Sequence, residues 1–153
     1  MIASIESRLQ LLEDEREIQR TLHMYGHALD YGYEAQFVDC WTEDAELFWP
    51  ASGIIRGRVA IQAAFRQHSH APAVVHKHLV IDPLITIQGD RASVDSMFAR
   101  LDPYDGVPKI RAFGRYRDIL VRCADGRWRF VERRAELEAR RAGGQPDAGG
   151  PAS

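Results

Sequence analysis

The sequence predicts an α+β fold in which helices come first along the chain and a largely antiparallel sheet follows. Residues 5–41 and 58–67 carry apolar side chains at helical spacing. After Pro72 the pattern changes, and β-branched and aromatic residues predict strands at about 75–88, 92–102, 109–123 and 127–137. The short links between these strands combine glycine with aspartate, which favours hairpin turns and antiparallel neighbours. Helices collected before such a sheet must cover one of its faces.

The helical part divides into three predicted helices. Residues 5–32 form one long helix or two in tandem, and Gly32 stands where a C-cap glycine ends a helix. Its inward face is predicted to carry Ile5, Leu9, Leu12, Ile18, Leu22 and Leu29. Residues 34–41 predict a short second helix and residues 58–67 a third. Their inward residues are Phe37, Val38 and Trp41 in the second, and Ile61, Ala64 and Phe65 in the third.

The remaining segments complete a single predicted domain. Residues 45–49 predict a first strand, which Pro50 stops. Residues 142–153 are dense in glycine and proline and have no apolar stripe, so we expect a disordered tail. Residues 1–141 are then one domain, because a chain of 153 residues with 45% apolar content is the usual size for one core.

Charge, hydropathy and motifs argue against several classes of protein. The net charge of −2 comes from interspersed acidic and basic residues, so nucleic acid is not an expected partner. The apolar runs are too short for a membrane span or a signal peptide, which predicts a cytoplasmic protein without membrane contact. Cys40 and Cys123 are expected to be reduced thiols. A serine-nucleophile elbow, a phosphate loop and a dinucleotide fingerprint are all missing from the sequence.

A late histidine and an early aspartate are the first candidates for chemistry. His78 lies in a predicted strand, where alternation puts it on one face with His76 and Val80. An imidazole on an inward face is either a core histidine with satisfied hydrogen bonds or a base that works near neutral pH. Asp30 ends the long helix, where a negative charge is mildly unfavourable with the helix dipole and calls for a partner.

Four segments resemble the SnoaL-like division of the nuclear transport factor two-like superfamily. They are residues 18–30, 78–82, 114–118 and 128–134, and the resemblance extends over about residues 5–137. It implies a cone-shaped α+β barrel, in which three N-terminal helices close a curved, mixed or antiparallel sheet around an apolar pocket. The division includes bile acid dehydratase, scytalone dehydratase and hexachlorocyclohexane dehydrochlorinase.

The resemblance also implies a catalytic dyad. In the resembled enzymes an aspartate at the position of Asp30 hydrogen-bonds the histidine, fixes its tautomer and stabilises the imidazolium that forms on proton uptake. Asp30 and His78 would therefore act as orienting acid and base. The family carries asparagine four residues after the histidine, where this chain has Asp82.

Three further residues receive roles from the resemblance. Several dehydratases of the division carry a tyrosine at the position of Tyr25, where the hydroxyl can polarise a carbonyl; the alternative is a packed aromatic residue. Counted from Trp128, Arg133 occupies the place of a pocket arginine and would bind an anion or a carbonyl oxygen, unless it is a surface arginine paired with glutamate. Asp102 lies about as far beyond the histidine as an acid of the bile acid dehydratases.

Two sets of histidines are candidates for metal ligands. His23, His27 and Asp30 lie on one helical stripe, but no glutamate accompanies the histidines and the resembled division is metal-free. A second set precedes and follows Pro72 and is interpreted as a solvated turn; it comprises His68, His70 and His76 with Lys77. We therefore predict neither a metal nor another cofactor.

Acid–base work in an apolar pocket is the predicted function. The leading hypothesis is a dehydratase-type lyase acting on a small apolar, carbonyl-containing substrate, steroid-like, terpenoid or polyketide-derived. The alternatives are an isomerase or cyclase with the same base, and a non-catalytic binding or assembly subunit of the same fold. We also expect a homo-oligomer, a dimer or trimer, formed through the strands at residues 109–134. The predicted pocket walls are Phe48, Trp49, Phe65, Phe98 and Phe113.

Overall fold

The computed structural model of the chain describes residues 4–142 and begins with one continuous helix, α1, which spans Ile5–Tyr31. The hydroxyl of Ser4 caps its first turn by accepting a hydrogen bond from the backbone N–H of Ser7 at 3.1 Å. Gly32 ends the helix as predicted, with a left-handed φ of 76° and its N–H donated to the Ala28 carbonyl. The tail predicted at residues 142–153 lies outside the described residues except for its first residue.

The first turns of α1 differ from the prediction. Ile5, Leu9 and Leu12 were placed on the inward face, but they are 82%, 54% and 62% exposed. Burial along the helix begins at Asp14 and continues through the predicted Ile18 and the apolar positions after it. Helical spacing identifies one face of a helix, but it does not say how much of that face the sheet will cover.

The second helix is shorter than predicted, and a hairpin follows it. Helix α2 spans Glu34–Asp39, and Trp41, predicted as part of that helix, instead begins strand β1 (Trp41–Trp49). The reason is pairing with a distant segment, since Trp41 is a register partner of Phe130. Strand β2 (Gly53–Arg56) turns back on β1 and was not predicted, because four residues are too few to show a clear alternation. Helix α3 spans Arg58–Gln67, as predicted.

Four long strands complete a six-stranded sheet. They are β3 (Lys77–Gln88), β4 (Arg91–Tyr104), β5 (Val107–Arg122) and β6 (Trp128–Arg140). The order across the sheet is β2-β1-β6-β5-β4-β3, in which β1 and β6 are parallel and every other pair of neighbours is antiparallel. The sheet is curved and mixed, as predicted, and it stays unclosed, with β2 and β3 as its two edges.

Register shifts accompany the curvature of the sheet. They occur between Ile81 and Leu84 in the β3–β4 pair, and further shifts interrupt the β4–β5 and β5–β6 pairs. An extra residue in one strand bends that strand and increases its twist. Asp82 lies in the first of these shifts with a φ of 47° and is exposed. The aspartate that stands where the family carries asparagine is therefore directed to solvent.

The concave face of the sheet and the helices share one apolar core. Its largest fully buried aromatic residues are Phe37, Trp41, Trp128 and Phe130. Helix α1 passes very close to β3, because a Cβ atom at Gly26 would lie 2.9 Å from the carbonyl oxygen of His78. Only glycine allows the two backbones to approach this closely.

Buried polar contacts hold the middle of α1 on the sheet. The indole Nε1 of Trp128 donates to Asp14 at 3.0 Å, and Arg122 pairs with the other oxygen of that carboxylate at 3.0 Å. About two turns of helix later the Thr21 hydroxyl donates to the Trp128 carbonyl at 2.6 Å. These contacts orient the C-terminal half of α1 toward the site.

The structure bears on the expectations for the two cysteines and for a membrane span. Cys40 and Cys123 are both free thiols, and burial raises the pKa of Cys40 to about 12. None of the helices found between residues 4 and 142 has the length and the apolar content needed to cross a bilayer.

The outer face of the sheet carries an apolar row that could join copies of the chain. Leu79, Ala99 and Phe113 are register partners on β3, β4 and β5, and Leu79 and Phe113 are 43% and 47% exposed. We propose that the homo-oligomer forms through this row. Phe113→Glu should then convert a dimer or trimer to monomer, as measured by sedimentation velocity at micromolar concentration. Thr86→Glu is the control, because Thr86 is exposed further along β3, and it should leave the oligomer unchanged. A monomeric wild-type protein would contradict the proposal.

Candidate functional site

A cavity of about 640 Å³ lies between the helices and the concave face of the sheet. That volume is typical of small-molecule sites. Its apolar walls include Leu29, Trp49, Phe98, Ala112 and Ala135. Its polar residues include Tyr25, Gln67, His68, His78, Arg100, Tyr116 and Arg140. A smaller cavity of about 190 Å³ lies between α1 and β3 and shares Tyr25, His78 and Tyr116 with the first.

Asp30 contacts His78, which borders both cavities. The Nδ1 atom of His78 lies 2.6 Å from Oδ1 of Asp30, and the backbone N–H of His78 donates to both carboxylate oxygens, at 3.0 and 3.2 Å. A carboxylate only accepts, so Nδ1 carries the proton of this bond and Nε2 of the neutral ring holds the free lone pair. The contact expected from the sequence is therefore present, with His78 bordering both cavities.

Asp30 has the partners that a negative charge at the C-terminal end of a helix needs. The side chain is 5% exposed and lies in the last turn of α1, where a charge without partners would be unfavourable. Two N–H groups of His78 supply the partners, one from the backbone and one from the ring. Because both come from the start of β3, they also fasten the end of the helix to that strand.

The histidines around Pro72 are not a solvated turn, contrary to the prediction. His76 is 1% exposed, and its ring centroid lies 4.9 Å from that of His78 and 5.1 Å from that of His68. The His70 ring lies 2.6 Å from the Leu29 carbonyl oxygen. The turn folds back onto the end of α1 through such bonds, which no local pattern reveals. Lys77 lies beside the cluster, over the ring of Tyr31 at 4.4 Å.

The neighbours of the dyad are neutral histidines. Burial lowers the pKa of His76 to about 3, and the charges of His78 and Arg100 add to this effect. Burial lowers the pKa of His68 to about 4, with the charge of His78 as the next cause. Neither ring nitrogen of His76 has a hydrogen-bond partner among residues 4–142. His76 Nε2 stands 3.5 Å from Asp30 Oδ1.

A metal ion could fit a different set from the helical stripe weighed in the sequence. Ligand atoms of Asp30, His76 and His78 all lie within 4.8 Å of one another, and two imidazoles with a carboxylate suit a zinc-like ion. Such an ion would have to replace the hydrogen bond between Asp30 and His78. The stripe itself is not assembled, because His23 and His27 are exposed while Asp30 faces inward.

Tyr25 borders both the large and the small cavity. The hydroxyl oxygen accepts a hydrogen bond from Trp49 Nε1 at 2.8 Å, which leaves the hydroxyl hydrogen free to donate. Burial raises the pKa of Tyr25 to about 12, an effect that the charge of Arg133 partly opposes. The phenol therefore stays protonated at ordinary pH and is a donor rather than a base.

Arg133 is neither a surface residue nor an open anion site. It is fully buried and forms a bidentate pair with Asp118, at 2.8 Å through Nε and 2.7 Å through Nη2. Its guanidinium lies 4.3 Å from the Tyr25 ring centroid and 4.0 Å from that of Tyr116. Only Nη1 lacks a partner among the described residues, and the side chain borders the smaller cavity. Arg133 thus packs against the face of the Tyr25 ring and supports it.

Asp102 points inward, but Arg100 separates it from the cavity. Its side chain is fully buried, and Oδ1 accepts a hydrogen bond from Arg100 Nε at 2.9 Å. Arg100, not Asp102, borders the cavity. The sequence reasoning did not single out Arg100, although strand alternation places it on the same face as Phe98 and Asp102.

Two of the five predicted aromatic walls border the cavity, namely Trp49 and Phe98. Phe48 and Phe113 lie on the outer face, because adjacent residues of a strand point in opposite directions. Arg134 covers Phe48, with its Cζ atom 5.0 Å from the ring centroid. Phe65 packs in the core against Phe37, at 4.5 Å between centroids, and supports His70 rather than the cavity.

The lowered pKa values predict how stability depends on pH. The unfolded chain takes up a proton on each histidine near pH 6.5, whereas folded His76 and His68 stay neutral down to about pH 3 and 4. The free energy of unfolding should therefore fall as pH drops below about 6.5, by up to about 1.4 kcal/mol per pH unit for each buried group.

Urea unfolding of His76→Phe between pH 5 and 7 checks this effect. The variant should lose part of the pH dependence, while His23→Gln, a change of an exposed histidine, should keep the slope of the wild type. A His76→Phe slope equal to that of the wild type would contradict the assignment.

Comparisons with known proteins identify the family and the fold. The family model described as a SnoaL-like domain matches residues 10–134. No curated protein matches the chain. An NTF2-like protein with a cystatin-like fold from Novosphingobium aromaticivorans is 26% identical, with a TM-score of 0.80 over 88% of each chain.

Two other solved structures share the fold. A protein from the same organism with the provisional name scytalone dehydratase is 20% identical, with a TM-score of 0.73 over 94% of this chain and 98% of that one. A Catenulispora acidiphila protein in complex with S-DNPA is 26% identical, with a TM-score of 0.69 over 81% and 92%. The resemblance predicted from the sequence is confirmed, and the chain belongs to the family of SnoaL-like domains.

Proposed function

We propose that the protein is a cofactor-independent lyase of the dehydratase type, acting on an apolar, polycyclic carbonyl compound. The observation that carries the proposal is the hydrogen bond from His78 Nδ1 to the buried Asp30 carboxylate at the wall of a large cavity. This bond leaves Nε2 as the ring atom that can accept a proton. A base held in one tautomer by an acid is an arrangement suited to general-base catalysis.

The proposed reaction begins with proton abstraction. His78 Nε2 takes a proton from the carbon next to the substrate carbonyl, and the electrons of the broken C–H bond move onto the carbonyl oxygen. The Asp30 carboxylate stabilises the imidazolium that results. In the second step the enolate electrons form a carbon–carbon double bond and expel the β-hydroxyl, which takes the proton from Nε2 and leaves as water. The base returns to its starting state.

Tyr25 is proposed to bind the developing enolate. Its hydroxyl oxygen is already engaged as an acceptor by Trp49, so its hydrogen can point toward a substrate oxygen. The raised pKa keeps that hydrogen in place through the reaction. A positioned donor aimed at developing negative charge is more effective in a buried site than in water.

The family supports the proposal in a general way. SnoaL-like domains include enzymes, and a structure with the same fold has the provisional name scytalone dehydratase, although its 20% identity carries the fold alone. The structure of the Catenulispora acidiphila protein, 26% identical to this chain, is a complex with S-DNPA, and this chain has a cavity of ligand size. An isomerase or cyclase would use the same base without loss of water, and product analysis distinguishes these outcomes.

Loss of the base should abolish most of the turnover. A substrate can be sought among β-hydroxy ketones and hydroxylated steroids by the absorbance of a new conjugated enone. On such a substrate His78→Ala should reduce kcat about 100- to 10,000-fold, because that is what general-base catalysis contributes. Asp30→Asn should cause a large loss that is not additive with the first, since the two residues act as a unit.

Asp105→Asn is the matched control, because it removes the charge of an exposed aspartate that borders neither cavity and should leave kcat unchanged. Full activity in both dyad variants would show that the base is another residue. Normal ligand binding without turnover in the wild type would instead favour the binding module.

A further inference from the structure

We propose that Arg100 is the anchor for a carboxylate of the substrate, so that the cavity takes organic acids with a ring-bearing, apolar body. The inference deepens the proposed function and rests on it for the place where the substrate reacts. It adds a specificity determinant that the sequence patterns did not single out. It is carried by the position of Arg100, by its support from Asp102 and by the distribution of charge around the cavity.

Arg100 is placed beside the proposed base. In the pairing of β3 with β4, Arg100 is the register partner of His78, and both side chains border the cavity. Side chains of such partners on one face begin only about 5 Å apart. A group held by Arg100 would therefore stand next to the reacting part of the substrate.

Asp102 fixes the guanidinium without saturating it. The Nε–H donates to Asp102 Oδ1 at 2.9 Å, which uses one of five N–H donors. Asp102 is fully buried, whereas the Arg100 side chain is 28% exposed. Its two terminal nitrogens make no hydrogen bond within residues 4–142. Asp102 thus holds the guanidinium through Nε. The two terminal nitrogens, which form the fork of the guanidinium, are presented to the cavity.

The lining of the cavity has no acidic group of its own. Its lining includes two guanidinium groups, Arg100 and Arg140, and contains no aspartate or glutamate. Asp102 beside Arg100 and Asp30 beside His78 offset part of this charge from outside the lining, but Arg140 forms no ion pair in the described part of the chain. The charge of Arg100 also contributes, after burial and the charge of His78, to the low pKa of His68.

A carboxylate is the group that this arrangement fits best. A planar guanidinium with two free nitrogens binds the two oxygens of a carboxylate side by side, and such bonds are about twice as strong as neutral ones. The apolar walls, with Phe98 and Trp49 among them, suit an aromatic or alicyclic body. The carboxylate of such a ligand would pair with Arg100, and its ring-bearing body would pack against the apolar walls.

The test compares a charged probe with a neutral one that has the same ring body and an esterified carboxyl group. Isothermal titration calorimetry would measure Kd for 2-naphthoate and for methyl 2-naphthoate. The wild type should bind the acid at least about tenfold more tightly than the ester, since a charge-assisted bond typically contributes that much. Arg100→Gln should remove the preference, and Arg100→Lys should keep part of it, because lysine retains the charge but lacks the fork.

Two more variants keep the result interpretable. Arg91→Gln, an exposed arginine on the same strand, is the matched control and should keep the preference. Arg100→Gln leaves the buried Asp102 without a partner, so the double variant Arg100→Gln with Asp102→Asn is measured beside it. It should fold and should bind acid and ester equally.

The proposal is overturned if the wild type binds the ester as tightly as the acid, if it binds no acid at millimolar concentration, or if the double variant keeps the preference. The probes do not react, so the result does not depend on turnover. His78→Ala should keep the preference for the acid. If that variant also kept full turnover on a substrate, the proposed base would fail while the anchor would stand.

Discussion

The hydrogen bond between the Asp30 carboxylate and His78 sets the geometry on which the site depends. It joins the last turn of α1 to the first residues of β3, and the bare backbone of Gly26 lets the helix approach that strand closely enough for the bond to form. Gly32 then ends the helix, so that the following chain turns away from the carboxylate. With the helix fixed in this way, Tyr25 also faces the cavity, although five residues of an ideal helix would turn it about 140° away from Asp30.

The surroundings of this bond favour a base over a structural pair. Burial keeps His68 and His76 neutral, so neither adds a positive charge beside His78. Tyr25 is held as a donor by Trp49 and lies on the buried pair of Arg133 with Asp118. His78 and Tyr25 are each fixed by a hydrogen bond before a substrate arrives, which is the preorganisation that makes electrostatic stabilisation effective.

Local chemistry accounts for what the sequence could predict. The cap at Gly32, the hairpin links and the alternation of β4 and β5 depend on neighbouring residues, and the family resemblance led to Asp30 and His78. The exposed start of α1, the helix-to-strand change at Trp41 and the burial of His76 depend on segments far along the chain. Arg100 was within reach of strand alternation, but its importance appears only beside the buried Asp102.

The central claim is that Asp30 holds His78 with the proton on Nδ1 and a free Nε2. NMR of protein labelled with ¹⁵N in its histidine rings, recorded at a pH where His78 is neutral, tests it most directly. The account predicts that the His78 ring carries its proton on Nδ1, with that proton shifted downfield by the short bond, and that Asp30→Ala abolishes the shift. A ring protonated on Nε2, or spectra of His78 that are unchanged in Asp30→Ala, would contradict the account.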